Sequence, residues 1–165
     1  MEDKNVPIYA DTDWGAVGWA GIISSIVFLV TGSMAATAAG GTMATFVKLI
    51  ASMVMGASAL WNPLNAGSLI IGVITHLIIS FLAAGLIALI IHRWGILVGI
   101  FGGGLLGLAF YAINFYFFSD LFFPWMSGLR STNMAWVHVL FGACVGGLYE
   151  IFEDEMYEGD EWIED

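Results

Sequence analysis

Long apolar stretches, separated by short segments rich in glycine, proline and charge, dominate the pattern of this chain. A helix needs about 20 mostly apolar residues to cross about 30 Å of hydrocarbon, and four stretches meet this requirement. They run approximately from Trp14 to Met34, from Ala66 to Ile91, from Ile96 to Phe118 and from Met134 to Phe152. The pattern therefore predicts four transmembrane helices, and all three prolines fall outside them, as helix boundaries prefer.

The segment near 42–60, between the first two spans, has a different pattern, because polar and apolar residues alternate at three- and four-residue spacing. The polar set is Thr42, Thr45, Lys48 and Ser52, and the apolar set is Met43, Phe46, Ile50, Met53 and Val54. This spacing predicts an amphipathic helix lying in the membrane interface. A fifth span is the alternative, but Lys48 would then lie near mid-membrane with no acid to pair with.

Composition and charge agree with a membrane protein. Of 165 residues, 59% are hydrophobic and 11% charged, and the mean hydropathy is +0.88, which no ordinary soluble domain of this length shows. We therefore expect an all-α membrane protein, and we do not expect it to bind nucleic acid or to hydrolyse substrates in a polar cleft. The predicted organisation is an acidic N-terminal segment at 1–13, a tight four-helix transmembrane domain at 14–152 and an acidic tail at 153–165.

The positions of lysine and arginine bear on the orientation of the helices in the membrane. With four spans, both termini and the turn containing Arg93 share one side, whereas Lys48 and Arg130 share the other. The positive-inside count is then equal, because Lys4 adds to the side of Arg93. Arg93 lies directly between two spans, and this position favours cytoplasmic termini.

Glycines at four-residue spacing predict where the spans pack. Membrane helices associate through close contact of small residues, because missing Cβ atoms let the backbones approach. We expect the third and fourth spans to cross antiparallel along such residues. The predicted packing set is Gly95, Gly99, Gly103 and Gly107 on the third span, with Gly142 and Gly146 on the fourth.

Three polar side chains enter the predicted bundle from one face of the membrane. They are His76, Asn114 and His138, and we expect them to form one buried polar cluster, because a polar group stranded in hydrocarbon costs several kcal/mol. One alternative is that they mark a proton or ion pathway. Another is that His76 and His138 are the axial ligands of a b-type haem. Cys144 is the only cysteine, which excludes thiolate-held iron–sulfur clusters and internal disulfides.

The loop between the third and fourth spans has the composition of an interfacial anchor. Residues 121–126 read Leu-Phe-Phe-Pro-Trp-Met, and Trp and Phe are typical of headgroup depth. Arg130 follows this segment. The sequence allows it either to pair with Asp120 or to contact a lipid phosphate.

The chain from Glu150 to Asp165 contains nine acids and no cation. Aromatic and apolar residues are interleaved among these acids, as a basic and partly apolar protein surface would require. Anionic lipids would repel such a segment, so we expect it to bind a neighbouring subunit instead. The predicted docking residues are Phe152, Glu153, Asp154, Glu155, Tyr157 and Trp162.

Several short motifs resemble a pattern in small uncharacterised bacterial inner-membrane proteins. They are His76 with Ser80, Asn114-Phe115-Tyr116, Phe123-Pro124-Trp125, Arg130, and His138 with Phe141-Gly142. The resemblance covers roughly residues 14–150. It implies a four-helix protein of the bacterial inner membrane, and it implies no activity.

These features together predict a non-catalytic accessory subunit of a larger membrane complex, with a respiratory or other electron-transfer assembly as the expected host. Its expected contacts are other membrane subunits and lipids, and no metal or cofactor is expected. The alternatives are a small channel or proton-pathway protein and, third, a b-type cytochrome.

Overall fold

The computed structural model describes residues 12–92 and 94–160, with side chains described as far as Glu153. Within these ranges, four helices are long and apolar enough to cross a membrane. They are α1 (Trp14–Ala38), α3 (Ala66–Ile91), α4 (Ile96–Phe122) and α5 (Thr132–Asp160), and the shorter α2 (Met43–Met55) joins α1 to α3. The predicted all-α membrane bundle is confirmed, and the chain is a multi-pass membrane protein.

Local sequence signals define where the first long helices begin. Asp13 precedes α1, and its carboxylate accepts hydrogen bonds from the N–H groups of Gly15, at 2.7 Å, and Ala16, at 2.9 Å. Asn65 has the same role for α3, because its side chain accepts from the Ser68 N–H at 3.0 Å. Such caps satisfy backbone donors that the first turn of a helix leaves open.

The length of α2 decides between the two interpretations of the segment near 42–60. Its 13 residues extend about 20 Å, which is too short to cross about 30 Å of hydrocarbon. A fifth span is therefore excluded for this helix. A 3₁₀ turn at Ala57–Leu60 follows it before α3 begins.

The buried face of α2 differs from the predicted one. Ser52, expected on the polar face, is fully buried, and its hydroxyl donates to the Leu49 carbonyl at 2.6 Å. Met43 and Val54, expected on the apolar face, are 58% and 65% exposed. Phe46 and Ile50 do face the core. The difference arises because the Ser52 hydroxyl is satisfied within its own helix, so it can lie against the bundle.

The bundle has two ends of different composition. The Glu150 end comprises Asp13, the turn between α3 and α4, and residues 149–153 of α5. The Arg130 end comprises α2 and the loop between α4 and α5, which contains a 3₁₀ segment at Pro124–Leu129. The most extensive helix–helix contacts are those of α5 with α4 and, next, with α1.

Candidate functional site

The closest approach in the bundle is the crossing of α4 and α5 along a seam of glycines. A Cβ atom built on Gly99 would lie 2.7 Å from the carbonyl oxygen of Gly146. One built on Gly103 would overlap the carbonyl oxygen of Gly142, and vice versa. Gly107 lies in the same way against the carbonyl of His138. We call the five residues Gly99, Gly103, Gly107, Gly142 and Gly146 the glycine seam, in which backbone packs directly on backbone.

Gly95, predicted as part of this packing face, has a different role. A Cβ atom at Gly95 would meet no atom within 4 Å, so close packing does not require glycine there. Its φ angle is +84°, in the left-handed region that disfavours residues with a Cβ. Gly95 precedes α4 as its N-cap, and it is therefore required by the turn between α3 and α4.

The two intramembrane histidines each donate a hydrogen bond to a backbone carbonyl. His76 Nε2 lies 2.9 Å from the Ser25 carbonyl of α1, and His138 Nδ1 lies 2.8 Å from the Met134 carbonyl of its own helix. Both side chains are buried. Each ring therefore has a partner inside the protein, which removes most of the cost of placing it in hydrocarbon.

The ring of Phe28 connects the two histidines. It stacks on His76 with ring centroids 5.3 Å apart and planes 11° apart, and it meets His138 edge to face at 4.8 Å. Phe46 and Phe141 also contact Phe28, at 5.8 and 5.2 Å. The histidines therefore belong to one aromatic core, rather than to the predicted cluster of polar groups that bond to one another.

Asn114 differs from the two histidines in its contacts. It is half-buried, and within the described chain its side chain makes no hydrogen bond to either histidine. Phe115 contacts the ring of His138 instead, at 5.7 Å. The cause is a π-helical segment at Ile113–Phe118, where wider turns rotate the chain less per residue. Phe115 rather than Asn114 then continues the face that contains Gly107.

The geometry does not fit a haem ligated by His76 and His138. Each imidazole packs directly against Phe28, so a macrocycle between them would have to displace that ring. It would also have to remove His76 Nε2 from the Ser25 carbonyl. The structure thus disfavours the b-type cytochrome interpretation on the contacts of these three side chains.

Glu150 connects two helices at the Glu150 end. Its carboxylate accepts hydrogen bonds from the backbone N–H groups of Gly95, at 2.8 Å, and Trp94, at 3.3 Å. The side chain is 2% exposed. A carboxylate at the first turn of α4 satisfies open N–H donors and interacts favourably with the helix dipole. Arg93, in the same turn between α3 and α4, lies outside the described residues.

Glu153 is held by two side chains that the sequence analysis did not single out. Its Oε1 atom lies 2.6 Å from Nδ1 of His92 and accepts a hydrogen bond of 3.2 Å from the Tyr149 hydroxyl. Glu153 is 2% exposed and Tyr149 is fully buried. The spacing of Tyr149 and Glu153, four residues apart on one helix, was the available signal. Nothing in the sequence indicated that His92 would complete the group.

This arrangement bears on two of the predicted docking residues. Glu153 is bonded inside the bundle, because α5 stays packed for longer than its charge pattern suggested. Phe152 is half-buried against the core that contains Tyr149, and part of its surface is exposed. Asp154, Glu155 and Tyr157 lie on the helical backbone of α5, but their side chains are outside the described part, and Trp162 lies outside the described residues altogether.

Replacing Glu150 tests its capping role. We expect Glu150→Ala to lower the free energy of unfolding by about 1.5–3 kcal/mol, because two backbone donors lose a charged acceptor. Thermal unfolding of purified protein in detergent micelles measures this change. Glu150→Gln is the matched control, since its amide oxygen can keep one of the two bonds, and it should lose less. Equal losses of unfolding free energy in the two variants would show that the hydrogen bonds from Gly95 and Trp94 do not account for the stabilisation by Glu150.

Each of the buried groups His76, His138, Glu150 and Glu153 has a hydrogen-bonding partner within the protein. Among the described residues, no three His, Cys, Asp or Glu side chains are arranged to hold a metal ion. No family model matches the chain, and no curated protein or solved structure does either. The resemblance to bacterial inner-membrane proteins thus has no counterpart in these comparisons.

Proposed function

We propose that this protein is a non-catalytic structural subunit of a larger membrane assembly, and that its acidic tail binds a basic surface of a neighbouring subunit. The observation that carries the proposal is the continuation of α5 as a helix to Asp160. The apolar part of this helix ends at Glu153, so about 10 Å of helix extends beyond it. The acids that follow Glu153, as far as Asp160, thus continue on the same helical backbone as the span.

The interior of the bundle supports a structural role over a conducting one. Ring side chains fill the space between the helices: Phe28, Phe46, Tyr111, Phe115 and Phe141. The glycine seam brings α4 and α5 together without intervening side chains. A proton or ion route needs a chain of polar groups or water, whereas His76 and His138 contact phenyl rings.

The composition of the extension indicates the chemistry of its partner. Residues 154–165 contain seven acids and no lysine or arginine, with Met156, Tyr157, Trp162 and Ile163 among them. Such a segment complements a basic surface that also has apolar contacts, since tyrosine and tryptophan are enriched in protein interfaces. We keep an electron-transfer complex as the expected host, in the inner membrane of a bacterium and with cytoplasmic termini.

Truncation tests this proposal. A stop codon after Glu153 removes the extension but keeps the bond between Glu153 and His92, so the bundle should stay folded. We expect the truncated protein to reach the membrane in normal amounts and to lose co-purification with its neighbours. In the full-length protein, the same association should weaken as salt is raised.

Charge-neutral substitution provides the matched control for the truncation. Changing the seven acids of residues 154–165 to their amides keeps the length and the apolar residues, and it should also abolish the association. Unchanged co-purification of both variants at any ionic strength would contradict the proposed role of the tail.

A further inference from the structure

Arg130, at the other end of the bundle, has a defined orientation. Its Nη2 atom donates to the Ser119 hydroxyl at 3.0 Å and to the carboxylate of Asp120. Its guanidinium also lies over the ring of Tyr116, 4.9 Å from the centroid. These contacts come from the end of α4 and fix the plane of the guanidinium.

The pair formed by Arg130 and Asp120 keeps unused bonding capacity. Both of these hydrogen bonds involve Nη2 of Arg130, and within the described chain its Nη1 group donates to no acceptor. Asp120 is 57% exposed, and its Oδ2 atom accepts no hydrogen bond from the described residues. The pair therefore presents a cationic donor and an anionic acceptor side by side at the surface.

The surrounding loop places this pair at the level of lipid headgroups. Asp120 lies at the end of the apolar span of α4, and Arg130 lies two residues before that of α5. Between them, Phe122 and Trp125 have the character of interfacial anchors. Trp125 is fixed in place, because its indole N–H donates to the Ser52 hydroxyl of α2 at 2.9 Å.

We propose that Arg130 and Asp120 form a binding site for the headgroup of a zwitterionic aminophospholipid, the phosphoethanolamine group. The lipid phosphate accepts hydrogen bonds from Nη1 of Arg130, and the primary ammonium donates to Oδ2 of Asp120. The headgroup and the Arg–Asp pair then lie with opposite charges facing each other.

The chemistry of the pair separates this headgroup from the other common ones. A choline headgroup has the phosphate but no N–H, so it cannot donate to Asp120. A glycerol headgroup can donate hydroxyl groups to Asp120, but it has no positive charge to balance the carboxylate and adds a net negative charge beside it. Of the three, only phosphatidylethanolamine offers Asp120 a positive charge and a hydrogen-bond donor together.

Lipid exchange on the full chain tests the site. The protein is reconstituted in nanodiscs of phosphatidylcholine with increasing phosphatidylethanolamine or phosphatidylglycerol, and bound lipid is counted by native mass spectrometry. We expect the wild type to prefer phosphatidylethanolamine over both other lipids by about tenfold, from one charge-assisted hydrogen bond. Equal retention of the three lipids by the wild type would overturn the proposal, with no variant needed.

Three variants assign the preference to the pair. Asp120→Asn should retain phosphatidylethanolamine and phosphatidylcholine equally, and Arg130→Gln should retain less of both lipids than the wild type does. Lys48→Gln removes another cation of the Arg130 end and should keep the wild-type preference. A preference that survives Asp120→Asn, or one that disappears in Lys48→Gln, would refute the assignment.

A soluble competitor separates a lipid site from a site for a free metabolite. Free O-phosphoethanolamine, added at the concentration of the lipid headgroup, should displace little of the bound lipid, because the acyl chains contribute most of the retention. Complete displacement would assign the site to a soluble ligand and overturn the lipid proposal.

Discussion

Gly103→Leu should prevent most of the protein from reaching a folded state in the membrane. Even a Cβ atom at this position would overlap the carbonyl oxygen of Gly142, and a leucine adds three more carbons. The obstructing atom is backbone of a packed helix, so α4 and α5 must separate along the glycine seam. Separation loses the dispersion contacts that associate helices in lipid. We expect a several-fold lower yield of monodisperse protein in size-exclusion chromatography of detergent extracts.

Gly18→Leu is the matched control for this substitution. Gly18 also lies within a membrane helix, but a Cβ atom there would meet nothing within 4 Å. Its yield and thermal unfolding midpoint should stay close to those of the wild type. Wild-type yield and stability of Gly103→Leu would contradict the packing of α4 on α5.

Phe28→Ala should lower the free energy of unfolding by about 3–5 kcal/mol, as large-to-small substitutions of packed aromatic residues do. The ring of Phe28 contacts both histidines together with Phe46 and Phe141. Its removal leaves a cavity where α1 meets α3 and α5. Thermal unfolding in detergent, followed by tryptophan fluorescence, measures the loss.

Phe101→Ala deletes the same number of atoms from a position that is 72% exposed. Lipid or detergent replaces the lost contacts there, so the expected change is small. A comparable loss of unfolding free energy in the two variants would contradict the packing of Phe28 in the core.

The spans and the glycine seam could be predicted because each depends on a strong and local rule. A membrane helix must satisfy its own backbone, so its length and apolar composition are visible in any window of about 20 residues. Close packing needs glycine at regular spacing, and glycines at this spacing stay on one face as long as the helix is regular. Gly95 has the same spacing, but glycine is required there by the positive φ angle and not by packing. Spacing alone could not distinguish a packing glycine from a turn glycine.

The contacts of His76, Asn114 and His138 could not be predicted, because they depend on features that residue types do not encode. The π-helical turn at Ile113–Phe118 rotates α4 less per residue than a regular α-helix does. As a result, Phe115 rather than Asn114 contacts the ring of His138. Phe28 is one of 12 phenylalanines, and nothing in its neighbourhood of the sequence marks it as the contact between two histidines.

The role of Glu153 could not be predicted from the sequence, because its charge is typical of an exposed residue. Placed at the start of an acidic run, it was assigned to the surface, whereas its partner His92 lies 61 positions earlier in the chain. The tertiary fold alone brings His92 to Tyr149 and Glu153, which are already neighbours on one helix. Glu153 stabilises the bundle through these bonds, and we assign the binding of a partner to the acids that follow it.

Zero-length cross-linking in native membranes tests the proposed docking of the acidic tail most directly. A carbodiimide joins a carboxylate to a lysine amine only when the two are in contact, and mass spectrometry identifies the joined peptides. The proposal predicts cross-links from the acids of residues 154–165 to lysines of another membrane protein, and their loss at high salt. Cross-links confined to Lys4 and Lys48 of the chain itself, or none at all from these acids, would contradict it.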